Sequence, residues 1–241
     1  MKTFSVTDIG KKRESNQDYV YTSDTPVGAL PNLFLVADGM GGHNAGDYAS
    51  KFTVETIISL IETLPGDNPE ELLSAAIREA NTRLIEQAES DPSLRGMGTT
   101  LVAMTIDGDQ MLVANVGDSR LYTVGQQITQ ITEDHSLVQE MVRIGEMDRA
   151  EARISPDKNI ITRAIGADTY VEIDFFQRTV QRGEQILMCT DGLTNMVEDE
   201  DIRRIAEGQR DVVEAAMKLV QKANENGGKD NITVVIVDPF A

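Results

Sequence analysis

Short apolar runs that break on glycine alternate along this chain with longer stretches of helical period. Residues 4–9 alternate well enough for a strand, and a second strand is expected over residues 18–22. The run Leu33, Phe34, Leu35, Val36, Ala37 is continuously apolar and gives way to Asp38, Gly39, Met40, Gly41, Gly42, His43. So short a run, bounded by glycines, suits a strand covered on both faces and ending on an acid. Residues 45–64 then have helical spacing, with Phe52, Ile57, Leu60, Ile61 and Leu64 available for one face until Pro65-Gly66 stops the helix. A second helix follows over residues 69–90, with Leu72, Leu73, Ala76, Ala80, Leu84 and Ile85 at three-and-four spacing.

From Gly98 the period changes to that of a β-meander over residues 99–106, 110–116 and 120–124, with Asp107-Gly108-Asp109 as a hairpin turn. Residues 136–168 break the pattern with a short helix (136–144), a charged helical patch (148–153) and the stretch 159–166, and read as an insertion over the sheet. Strands resume at 171–180 and 185–190. Helices are expected over 199–207 and 210–226, the latter with Val213, Ala216, Met217, Val220 and Ala223 on one face, before a final strand at 232–237.

Composition narrows the chemistry. The 241 residues fit one domain spanning 1–241, and no repeat or linker marks a division. No secretory signal and no bilayer-spanning run is evident, so a cytoplasmic location is expected, with no membrane partner. A formal charge of −18 argues against nucleic acid as a partner. One cysteine, Cys189, excludes an internal disulfide, and two histidines leave too few soft ligands for a Cys/His zinc site, so any metal must be held by oxygen. Cys189 lies in an apolar strand and reads as a packing thiol.

The strand-plus-acid pattern recurs. Asp38, Asp118, Asp191 and Asp230 each stand beside or within a glycine turn at the end of a β-like run, far apart in sequence. Strands sharing one sandwich would bring these ends together, although two bare carboxylates at about 4 Å repel by about 4 kcal/mol at an effective dielectric near 20. Convergence therefore calls for cations or protonation, and an all-oxygen site favours Mg²⁺ or Mn²⁺. Two such ions can activate a bridging hydroxide for in-line attack at phosphorus. Arg13 could clamp phosphate oxygens. Two phosphate-handling alternatives fail on pattern: the sixth position of a dinucleotide fingerprint starting at Gly39 is Asn44, and Asp191 lacks the second acid of aspartate-nucleophile phosphatases.

Arg13-x-x-Asn16-Gln17-Asp18, Asp38-Gly39-Met40-Gly41-Gly42-His43, Gly96-Met97-Gly98-Thr99-Thr100, Gly117-Asp118-Ser119-Arg120, Asp134-His135-Ser136, Asp191-Gly192 and Gly228-x-Asp230-Asn231 occur in this order across nearly the whole chain. Together they resemble the metal-dependent serine/threonine protein phosphatases of the PPM (type 2C) family in their compact bacterial form. The resemblance implies an α+β fold, a four-layer α-β-β-α sandwich of two mainly antiparallel sheets flanked by helix pairs, with residues 136–168 as the flap. It implies hydrolysis of phosphoserine and phosphothreonine on proteins by a metal-bridged hydroxide, without a covalent intermediate. Two core Mn²⁺ or Mg²⁺ ions would share Asp38, with the Gly39 carbonyl on one and Asp191 and Asp230 on the other. Asp118 would hold a third, weaker ion together with Asp191. Arg13 would bind substrate phosphate, while Asp18 and Asn231 would act from behind the ligands, Asp18 by orienting water.

The resemblance also implies phosphorylated proteins as partners, a bacterial serine/threonine kinase and its substrates among them, and a monomer is expected. Some family members carry a histidine directly after Asp-Gly as a proposed general acid, whereas this chain has Met40 there. His43 is the nearby candidate acid, although its place near a helix N-terminus suits a structural histidine as well. His135 fits either a resembling block or a turn that caps the next helix through Asp134 or Ser136. A scaffold of the same fold that binds phosphoproteins without catalysis is the alternative function, and its mark would be missing acids.

Overall fold

The computed structural model describes residues 1–42, 45–209 and 211–241. In chain order it runs β1 (Lys2–Asp8), β2 (Asp18–Ser23), β3 (Leu33–Met40), α1 (Ala45–Thr63), α2 (Pro69–Ser90), β4 (Gly98–Thr99), β5 (Leu101–Asp107), β6 (Gln110–Val116) and β7 (Arg120–Val124). There follow β8 (Ile128–Gln130), α3 (Leu137–Arg143), α4 (Arg149–Ile154), β9 (Asp174–Thr179), β10 (Gln185–Cys189), α5 (Asp191–Thr194), α6 (Asp199–Glu207), α7 (Val212–Glu225) and β11 (Ile232–Asp238). One sheet has the order β1-β11-β10-β7-β8 and the other β2-β3-β5-β6-β9, with β4 pairing β3. Every strand pair is antiparallel.

The continuous apolar run of β3 has a direct cause: both of its faces are covered. Phe34 and Val36 point between the sheets, where they join Val102, Met104, Leu121, Ile186, Met188 and Val235. Leu33, Leu35 and Ala37 point the other way and pack with Ile57, Ile61, Leu73 and Ile77 of α1 and α2. On the opposite flank Leu187, Val234 and Ile236 pack with Ile202, Leu219 and Ala223 of α6 and α7. Three cores thus separate four layers, the expected α-β-β-α sandwich. At about 1.5–3 kcal/mol for each fully buried large aliphatic or aromatic side chain, these cores supply the main driving force for the stack.

Several elements depart from the pattern read in sequence. β3 does not stop at Asp38, because β4 pairs Gly39 with Thr99 and Met40 with Gly98 and prolongs the ladder. β9 begins at Asp174 rather than 171, while the buried Val171 packs with the helix-side core from outside the strand. The short β8 and the single-turn α5 were not expected. On α7 the apolar face is turned from the expected one: Val212, Ala215, Ala216, Leu219, Val220 and Ala223 are buried, whereas Val213 and Met217 are exposed. Arg210, the expected first residue of that helix, lies outside the described residues, and Asp211 caps it by accepting from the Val213 N–H at 2.7 Å.

Residues 136–168, between β8 and β9, carry α3 and α4. Ser136 caps α3 through the Gln139 N–H (3.3 Å), and Asp148 with Glu151 makes a capping box on α4. Arg153 donates to Glu198 Oε1 (2.6 Å) and to the Val197 carbonyl (3.2 Å), and Lys158 to Asn195 Oδ1 (2.7 Å), so the segment is fastened beside α5. Among the described residues no helix is long and apolar enough to cross a membrane.

Candidate active site

β2 and β3 place Asp18 directly opposite Asp38 in the ladder. Like charges facing each other across strands destabilise a sheet, so this pair is held by its surroundings. Asp18 is buried, and its Oδ2 accepts the hydroxyls of Thr190 (2.9 Å) and Thr233 (2.6 Å) from the other sheet, whereas its Oδ1 has no partner. Asp38 is fixed through its backbone. Its N–H donates to Thr100 Oγ1 (3.0 Å), and its carbonyl accepts from the Thr100 N–H (2.9 Å) and from Thr99 Oγ1 (2.9 Å).

Asp191 opens α5 just beyond β10. Its Oδ2 accepts from Asn195 Nδ2 at 2.8 Å, one helical turn on, and its Oδ1 is buried without a partner. Asp230 precedes β11, and its Oδ1 accepts from the Asn231 N–H (2.8 Å) while its Oδ2 accepts from Arg13 Nη2 (2.7 Å). Asp118 sits in the turn from β6 to β7, where the chain passes from one sheet to the other. Asn231 Nδ2 donates to the carbonyls of Ile9 and Ser15 (both 2.9 Å), and its Oδ1 accepts from the Gln17 N–H (2.9 Å). It therefore shapes the loop that presents Arg13. Two glycines are required by close approach: a Cβ on Gly39 would lie 1.9 Å from the Gly46 carbonyl oxygen, and one on Gly192 1.8 Å from that of Asn231.

These acids disturb one another. Burial first, and then repulsion from Asp18, Asp191, Asp118 and Asp230, pushes Asp38 well above the ordinary carboxylate range. Burial with repulsion from Asp191 and Asp134 raises Asp118 to about 8. Burial raises Asp18 to about 7 against the opposing effect of its two threonine hydroxyls, and burial with repulsion from Asp230 raises Asp191 to about 6. Asp38, Asp118, Asp191 and Asp230 keep partial contact with solvent.

Among the described residues no three His, Cys, Asp or Glu side chains are drawn together into a ready-made metal cage. The chemistry of the acids nonetheless fits hard divalent cations: the donors are all oxygen, two buried carboxylate oxygens have no partner, and the Asp18–Asp38 pair needs opposite charge to balance it.

Cys189 is fully buried, and burial pushes its thiol up, away from the reactive thiolate. His43 lies outside the described residues. Sequence reasoning missed Thr190, Thr233 and Asn195, which hold Asp18 and Asp191. A signal for Asn195 was present in its four-residue spacing from Asp191, but no local pattern pairs Asp18 with threonines more than 170 residues away.

Strand ends of both sheets thus bring Asp18, Asp38, Asp118, Asp191 and Asp230 within electrostatic reach of one another. The protein phosphatase 2C family model matches residues 10–233. A serine/threonine phosphatase of Listeria monocytogenes, Stp, is 40% identical over 96% of this chain and 93% of its own. The crystal structure of the Staphylococcus aureus serine/threonine phosphatase Stp1 has a TM-score of 0.91 and 34% identity, covering 98% of this chain and 93% of that one. The catalytic domain of the serine/threonine protein phosphatase PstP in complex with two manganese ions gives 0.85 and 35%, covering 98% and 96%. The chain belongs to the protein phosphatase 2C family and is a metal-dependent enzyme.

Proposed function

We propose that this chain, one catalytic domain over 1–241, removes phosphate from phosphoserine and phosphothreonine of proteins by direct attack of water. The observation that most supports the site is the convergence on Asp38 of repulsion from Asp18, which faces it in the ladder, and from Asp118, Asp191 and Asp230, which stand beside strand ends. Asp38, the Gly39 carbonyl, Asp191 and Asp230 would hold two Mn²⁺ or Mg²⁺ ions, and Asp118 with Asp191 a third, weaker one. Bound ions supply Lewis acidity, which makes water nucleophilic near neutral pH and offsets the charge that grows on the phosphoryl oxygens. Asp18, held by two hydroxyls with Oδ1 free, is placed to orient a water molecule from behind Asp38. The single thiol is buried in β10, which leaves no cysteine to form a phosphoenzyme. Phosphorylated proteins are the substrates, with a bacterial serine/threonine kinase as the opposing enzyme. The test is release of phosphate from phosphoserine and phosphothreonine peptides with added Mn²⁺; no release from either would overturn the reading.

Arg13 binds the phosphoryl group through its planar fork once it leaves Asp230. Its guanidinium is half exposed and, among the described residues, tethered only by that ion pair, so it can swing without breaking the core. Arg13→Ala is expected to raise KM for a phosphopeptide by about tenfold or more, with a smaller fall in kcat. An unchanged KM would remove Arg13 from the substrate site.

His43 is the candidate for protonating the leaving seryl or threonyl oxygen. His43→Ala should then lower kcat on a phosphoserine peptide by roughly 10²-fold but leave p-nitrophenyl phosphate, whose leaving group needs no proton, nearly unaffected. Equal losses on both substrates would assign the proton elsewhere.

A further inference from the structure

One buried histidine holds both backbone polar groups of the residue before Asp118. His135 is 4% exposed. Its backbone N–H donates to the Gly117 carbonyl (3.0 Å), and its ring Nδ1 accepts from the Gly117 N–H (3.0 Å). With Nδ1 accepting, the proton of the neutral ring sits on Nε2, which donates to Asp174 Oδ2 (3.0 Å) at the start of β9. The His135 carbonyl accepts from the Thr162 N–H (2.8 Å). The next residue, Arg163, donates to Asp174 Oδ1 (2.8 Å) and also lies 3.3 Å from Nε2.

The turn held in this way requires glycine. Gly117 has φ +108°, and a Cβ there would come within 2.6 Å of the Thr100 side chain, whose hydroxyl receives the Asp38 N–H. Helix capping does not account for the histidine. Ser136 alone caps α3, and Asp134 is taken by the Arg120 guanidinium (2.6–3.0 Å).

We propose that His135 is a positioning residue that sets the Asp118 carboxylate by clamping Gly117 and ties that setting to the Thr162–Arg163 end of the flap. The inference rests on reading Asp118 as a ligand of the third, weaker ion. Asn and Gln divide the two ring functions between them. His135→Asn keeps an acceptor near the position of Nδ1 and loses Asp174, whereas His135→Gln reaches toward Asp174 and gives up the Gly117 acceptor.

Calorimetric titration with Mn²⁺ is the readout, because it reports ion binding independently of turnover. His135→Gln is expected to weaken the weaker binding event by about tenfold or more, as Asp118→Asn does, and His135→Asn to leave it within about threefold of wild type. If Asp118→Asn weakens that event but the Asn and Gln variants behave alike, or Asn is the worse of the two, the His135 inference is overturned while the ligand reading stands. If Asp118→Asn leaves the titration unchanged, the ligand reading falls and the inference with it.

Discussion

Asp38→Asn is expected to lower kcat on a phosphothreonine peptide by roughly 10³-fold or more, about 4 kcal/mol of transition-state stabilisation. The substitution keeps the shape of the side chain and leaves untouched the three backbone contacts to Thr99 and Thr100 that fix the position. What it removes is one charge from the centre of the acid set. In the metal-free protein that charge is a liability, opposite Asp18 in the ladder and repelled by Asp191, Asp118 and Asp230. The metal-free variant should therefore melt no lower than the metal-free wild type, and thermal denaturation checks this alongside the kinetics. Lost activity with a lower Tm would point to a damaged fold, and retained activity would remove Asp38 from the chemistry.

The second large effect is on stability and depends on both pH and metal. Asp18, Asp118 and Asp191 have folded-state values raised to about 7, 8 and 6 from the ordinary 3.8, and Asp38 is raised as well. A carboxyl raised on folding binds more protons in the native than in the unfolded state. Its contribution is full below the unfolded value and is lost as pH rises through the folded one. The metal-free protein should accordingly lose several degrees of Tm between about pH 5 and about pH 8, with these four groups as the source. Divalent ions bind the deprotonated carboxylates, so the stabilisation by saturating Mn²⁺ should grow over the same interval and flatten the profile. Melting curves with EDTA or with Mn²⁺ across this range provide the check. A metal-free Tm that rises steadily to pH 8 would contradict the electrostatics of these acids.

Asp38, Asp118, Asp191 and Asp230 were legible in sequence because each interrupts or borders an apolar β run at glycine, and a covered strand leaves few places for an acid other than its end. The same burial made the layers legible, since β3 and β11 are apolar on both faces. Register was not legible. Nothing local predicts that Asp18 faces Asp38, or that β4 pairs with Gly39 and Met40 and carries the strand past its acid. The buried face of α7 was misread because Val213 and Met217 fit a helical stripe as well as Val212 and Leu219 do, and only the position of the sheet decides between them. His135 was ambiguous for a related reason. Its partner, the Gly117 backbone, is 18 residues away and has no side chain to signal the contact. Arg13 was placed at phosphate by its chemistry, whereas the fold rests it on Asp230.

If these acids form the proposed site for the divalent ions on which hydrolysis depends, calorimetric titration of the metal-free wild-type chain with Mn²⁺ will show it, with Asp38→Asn as the comparison. The expected result is at least two bound ions per chain for the wild type and loss of that binding in the variant. Binding of no ion by the wild type, or of the same number by both proteins, would mean that Asp38 and its neighbours are not the metal site.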